Sequence, residues 1–233
     1  MKKIDGLFIL IFIIIITILA IPVTRVFIET ASSNSPYLMG FIKTAILATM
    51  GEMLASRLIS KNYFSKDGLI YRFIIWGLLG MAFVLVFKIF DQGVRASIDS
   101  GLLPKLNQDG LLNNLYIAFI TSMFMNLIFA PTFMLLHRVT DTYIEIGKGR
   151  FKQIRKVKIS KVIDSIDFKN FITFVVFKTI PCFWIPAHTI TFLLPENYRI
   201  LSAGFLSIAL GLILTLAKKR RNTNEELSTG TVV

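Results

Sequence analysis

The 233-residue chain has one cysteine, Cys182, two histidines, His137 and His188, and only 17% charged residues. A single cysteine closes no internal disulfide and so says nothing about the redox compartment. Two histidines and one cysteine fall short of the ligand sets that hold a metal, and no cofactor is expected. There is no HExxH, no Gly-rich phosphate loop and no GxSxG. With no catalytic constellation in view, the chain is not read as an enzyme. Soluble domains run to about 25% charged residues. At 54% hydrophobic, this chain has too little polar material to cover a water-facing surface.

Apolar runs take the place of that polar surface. A helix spans a bilayer with roughly 20 apolar residues, and six runs approach that length: 7–23, 37–59, 73–90, 111–136, 171–194 and 200–217. They are too long and too continuously apolar for the alternating strands of a membrane barrel. The expectation is an all-α, polytopic transmembrane helix bundle of about six spans over 1–221, with a flexible polar tail over 222–233. The bilayer is then the obligatory partner. A second copy of the chain is a further candidate partner.

The formal charge of +12 raises the question of nucleic acid. The position of the charges answers it. With the N-terminus placed inside, the gaps numbered alternately, and Arg57 and Lys88 near run ends counted with the gaps they border, nineteen of the 26 lysines and arginines fall inside and five outside; Lys43 and Lys178 lie deeper within runs. That is the positive-inside pattern. It puts both termini in the cytoplasm and makes nucleic acid an unneeded explanation. Lys2 and Lys3 ahead of an apolar run also describe a signal peptide, but the run is long for one and no small-x-small cleavage site follows, so a retained anchor is expected. The basic stretch 147–167 spaces Phe151, Ile154 and Val157 at helical intervals. It reads either as an amphipathic helix on the cytoplasmic leaflet or as a solvated loop.

Polar residues inside the spans are costly and tend to face a bundle interior or a cavity. Glu52 shares a face with Ala45, Ala48, Thr49, Ala55 and Ser56, so it is expected to point inward, with Lys178, Asn126 or Arg72 as its partner. Lys43 is expected to reach for the outer interface, and His137 to sit at a membrane boundary. In the fifth run, Pro181 and Pro186 each remove a helix hydrogen bond and predict a bend or break, while Trp184 and His188, four residues apart, share a face. Glu52, Asn126, Lys178, Trp184, Pro186, His188 and Arg199 form the candidate set, either as a solute path or as buried polar residues holding helices together. Ala203, Ser207 and Gly211 repeat every fourth residue and predict a packing face.

Four stretches in order resemble the Mpv-seventeen/PMP-twenty-two family of mitochondrial inner-membrane and peroxisomal proteins. They are Lys43-Thr44-Ala45 with Gly51-Glu52-Met53-Leu54-Ala55; Arg72 with Gly77, Gly80 and Phe87 to Asp91; Asn126 to Pro131; and Trp184-Ile185-Pro186-Ala187-His188 through Phe192 to Pro195-Glu196-Asn197-Tyr198-Arg199. The resemblance covers roughly 37–220. His188 stands near the family's glutamine, Thr191 replaces its asparagine, and the run 7–23 is an extra N-terminal span. The resemblance implies a channel for small solutes, tied to organelle stress and metabolite balance. A channel or transporter-like pore for small polar solutes is the function expected here; a nontransporting scaffold or stress-associated interaction protein is the alternative. The basic excess without transit-peptide composition favours a bacterial-type plasma membrane over an organelle membrane.

Overall fold

The computed structural model describes residues 3–64, 67–106 and 110–229, with side chains over 4–213 of these. All regular structure among them is helical. The elements are α1 (Lys3–Ala20), α2 (Pro22–Asn34), α3 (Pro36–Ser60), α4 (Leu69–Asp99), α5 (Leu111–Ile146), the short α6 (Phe151–Ile154), α7 (Ile159–Ser165) and α8 (Phe168–Asn170), a π-helical stretch Phe171–Trp184, α9 (Ile185–Leu193) and α10 (Glu196–Thr229).

Four stretches are long and apolar enough to cross a membrane: α3, α4, α5 and the continuous Phe168–Leu193. At about 1.5 Å per residue, the 25 residues of α3 already exceed a hydrocarbon core of about 30 Å. A fifth span is added if α1 and α2 are taken together; they are bent by 84° at Ile21 and Pro22. Pro22 explains the bend, because it can begin a helix but cannot continue one. The outward faces carry Leu78, Leu85, Ile128, Phe177 and Ile190, all exposed. A molecule that turns its large apolar side chains outward along helices of this length is built for lipid. The chain is an integral membrane protein with several spans.

α3 is the central helix, packed between α4 and α10, while α5 packs against α4 and α9. The α3–α4 crossing depends on two glycines. A Cβ built on Gly80 would stand 2.3 Å from the Gly40 carbonyl oxygen, and one on Gly40 would stand 2.8 Å from that of Gly80. Only with both side chains missing can the two backbones meet, as small-residue contacts allow in membranes. The predicted ladder on α10 is used within the chain: Ala203 is buried, and Gly211 lies against Gly51 and Ala55 of α3.

The fifth span neither bends sharply nor breaks at its prolines. It runs as a π-helix through Pro181 and returns to α-geometry at Ile185, with Pro186 in the first turn of α9. The wider π-turn accommodates a proline in place of a kink. The 147–167 stretch forms two short helices instead of one long one. Its Val162 is fully buried against the bundle, while Phe151, Ile159 and Ile163 stay exposed. α10 continues as helix through Thr229, beyond Asn222 where the polar tail was expected to begin. α1 is tied to the bundle at one end by Arg57, which donates to both carboxylate oxygens of Asp5 at 2.7 and 2.9 Å, and by Phe8 stacked on Tyr63. Burial and a hydrogen bond to Asp5 push the Tyr63 phenol above its usual range.

Candidate functional site

Polar groups gather at three levels of the bundle. At one end, the last turn of α2 and the start of α10 close over α3 and α4 and leave a vestibule of about 400 Å³. Its wall includes Lys43 from α3, Phe87 and Lys88 from α4, and Asn197 and Arg199 from α10. Lys43 is buried; its ammonium donates to Ser32 Oγ at 2.7 Å and to the Asn197 carbonyl at 3.1 Å. Arg199, also buried, donates to Asp91 Oδ2 at 3.0 Å and to the carbonyls of Phe192 and Leu194 at 3.2 and 3.1 Å. Its guanidinium lies 5.2 Å from the centre of the Phe192 ring. Lys88 pairs with Glu196 at 2.7 Å.

At mid-bundle a second cavity, about 60 Å³, is walled mostly by aromatics, among them Trp76, Phe83, Phe87, Phe133 and Trp184. Asn126, His188 and Ser207 add polar side chains to its wall, with Nδ1 of the histidine 3.1 Å from the asparagine amide nitrogen and 3.2 Å from its oxygen. Asn126 is held in turn by Ser122, whose hydroxyl donates to the Ile185 carbonyl at the π-to-α junction. Trp184 stacks on His188 with ring centres 5.1 Å apart, and its indole N–H is buried with no hydrogen-bond partner among the described residues. Phe87 lines both cavities.

At the opposite end, Arg72 is fully buried and faces three carboxylates: Asp141 at 2.7 Å, Glu52 at 3.4 Å and Glu145 at 3.4 Å. Trp76, part of the mid-bundle wall, donates its indole N–H to Glu52 Oε1 at 2.8 Å. His137 Nε2 stands 3.7 Å from Glu52 and 3.8 Å from Asp141, its ring 4.2 Å from that of Trp76. Glu52, His137 and Asp141 each bring a ligand atom within 4.8 Å of the others, a spacing that a divalent cation could use. Arg72 already lies on the same carboxylates, so a guanidinium serves as the counter-cation there.

The candidate residues thus distribute unevenly. Asn126, Trp184 and His188 meet at one cavity, Arg199 belongs to the vestibule, and Glu52 joins the carboxylate cluster with Arg72 as its cation. Lys178 and Pro186 are exposed and line neither cavity. Lys43 is buried, with its ammonium covered by Ser32 and Asn197. His137 sits beside the carboxylates of Glu52 and Asp141 at that end of the bundle. Phe87 and Asp91 entered the sequence reading only as part of a family-resembling stretch, and Trp76 and Asp141 were not singled out from sequence. The four-residue spacing of His137, Asp141 and Glu145 on one helix was the visible signal for the last of these.

No family model, curated protein or solved structure matches this chain. Its function therefore rests on the geometry.

Proposed function

We propose that the bundle is a channel or transporter-like pore for small polar solutes, in a closed state. The observation that carries this reading is the continuity of the three levels. Phe87 is the common wall of vestibule and mid-bundle cavity, and Trp76 joins that cavity to the Glu52 cluster. Aromatic side chains, Phe87 and Trp76, stand at the two junctions between the polar levels, and side-chain rotation is faster than helix motion. The buried, unpartnered indole N–H of Trp184 on the mid-bundle cavity is a donor that a passing polar solute would satisfy. The resemblance to the Mpv-seventeen/PMP-twenty-two family points the same way, and the basic excess of the chain favours a bacterial-type plasma membrane.

The test is flux. Purified protein in liposomes loaded with a graded series of small polar solutes should release those below a size limit, and empty liposomes should not. Retention of the whole series would leave a nontransporting scaffold as the better reading.

A further inference from the structure

We propose that the vestibule is a binding site for a small oxyanion, a phosphate or carboxylate group, with Lys43 as its principal cation. The inference rests on the vestibule being the mouth of the path proposed above and names the class of solute that it takes.

The charges around the vestibule are not equivalent. Lys88 is paired with Glu196, and Arg199 with Asp91, which also meets Arg95 at 3.2 Å. Lys43 has no such partner among the described residues. Its hydrogen-bond partners among the described residues are two neutral oxygens, and no carboxylate stands within ion-pair distance of it. Yet the residue is only 8% exposed. Burying an ammonium without a counter-charge is among the more expensive things a fold can do, and inside a membrane span such a group marks function by default. Two neutral hydrogen bonds repay part of the cost. An ammonium has three donors, so one is left for a ligand.

The surroundings suit an oxyanion. Ser32, Ser33 and Asn197 add hydroxyl and amide groups to the wall, and the Ser33 hydroxyl already meets the Asn197 side chain at 3.3 Å. The volume of about 400 Å³ exceeds that of a bare phosphate and leaves room for a small organic body on the anion. The position of Lys43 is also fixed from below. Thr44, the next residue, lies against Gly80 at the α3–α4 crossing, so this part of α3 cannot rotate to carry the ammonium into lipid.

Two sources supply such an anion, a free metabolite and the headgroup of an acidic lipid. The full chain would be placed in nanodiscs of phosphatidylcholine and its melting followed as inorganic phosphate is added. A parallel arm would replace part of the lipid with phosphatidylglycerol and omit phosphate. Phosphate should raise the melting temperature of the wild type. Lys43→Met should weaken the apparent affinity at least tenfold, and Lys178→Met, outside the vestibule, should leave it unchanged. Ser33→Leu narrows the vestibule while keeping Lys43, and should also weaken binding. A Lys43-dependent rise in the phosphatidylglycerol arm alone would assign the same site to a lipid headgroup. If neither anion stabilises the wild type, or Lys43→Met responds as the wild type does, the proposal is wrong. Binding is read here without flux, so a protein that binds phosphate and conducts nothing overturns the path but not the site. A protein that conducts without binding does the reverse.

Discussion

Arg72 Nη1 lies 2.7 Å from Asp141 Oδ2, with the arginine side chain completely enclosed. This pair joins α4 to α5, and Glu52 of α3 closes the triangle. Breaking a buried ion pair from one side costs about 3–5 kcal/mol, because the other charge is left uncompensated. Arg72→Met strands more than one carboxylate at once. It should lower the melting temperature in detergent by far more than Lys178→Met, which removes an exposed charge. Equal melting of the two variants would show that the cluster does not hold the three helices.

The vestibule end has its own clamp. Arg199 ties α10 to Asp91 of α4 and also caps two carbonyls just before the turn into α10. Arg199→Lys keeps the charge but loses the planar fork that reaches all three acceptors. It should melt below the wild type and above Arg199→Met. If Arg199→Lys melted like the wild type, the carbonyl contacts would contribute nothing.

Phe87 lines both cavities. In liposomes, Phe87→Ala should raise solute release several-fold over the wild type, and Phe87→Trp should not. The wall hypothesis fails if Phe87→Ala leaves the rate unchanged while the protein stays folded and inserted.

The charge asymmetry predicts orientation. Reporter fusions after Lys61, Lys161 and Arg221 should report from the cytoplasm, and one after Lys105 from the other side. A cytoplasmic signal at Lys105 would remove the six-span arrangement.

The spans were legible because length and apolar continuity are local properties: α3, α4, α5 and the fifth span begin and end within a few residues of the runs, apart from polar extensions such as 91–99 at the end of α4. The inward aim of Glu52 could be read from its small-residue face. The position of Lys43 could not, because its cover comes from Ser32 on α2 and Asn197 on α10, and the latter is 154 residues away in sequence. The place of His137 in the carboxylate cluster was hidden for the same reason, as one of its neighbours, Glu52, belongs to a different helix. The prolines of the fifth span were visible, but a proline removes one donor without dictating whether the ladder kinks or widens, and here it widens.

Gly40 and Gly80 carry no charge and line no part of the mid-bundle cavity, yet their contact sets the spacing of the helices that form the vestibule wall. Any side chain added at Gly80 must push α4 away from α3, and α4 carries Arg72, Trp76, Phe87 and Asp91 along one rod. In a saturation scan scored for activity, these two positions would then look as intolerant as a residue in contact with solute. The reason would be mechanical: a displacement of about one ångström at the crossing is passed, through a rigid helix, to every level of the bundle.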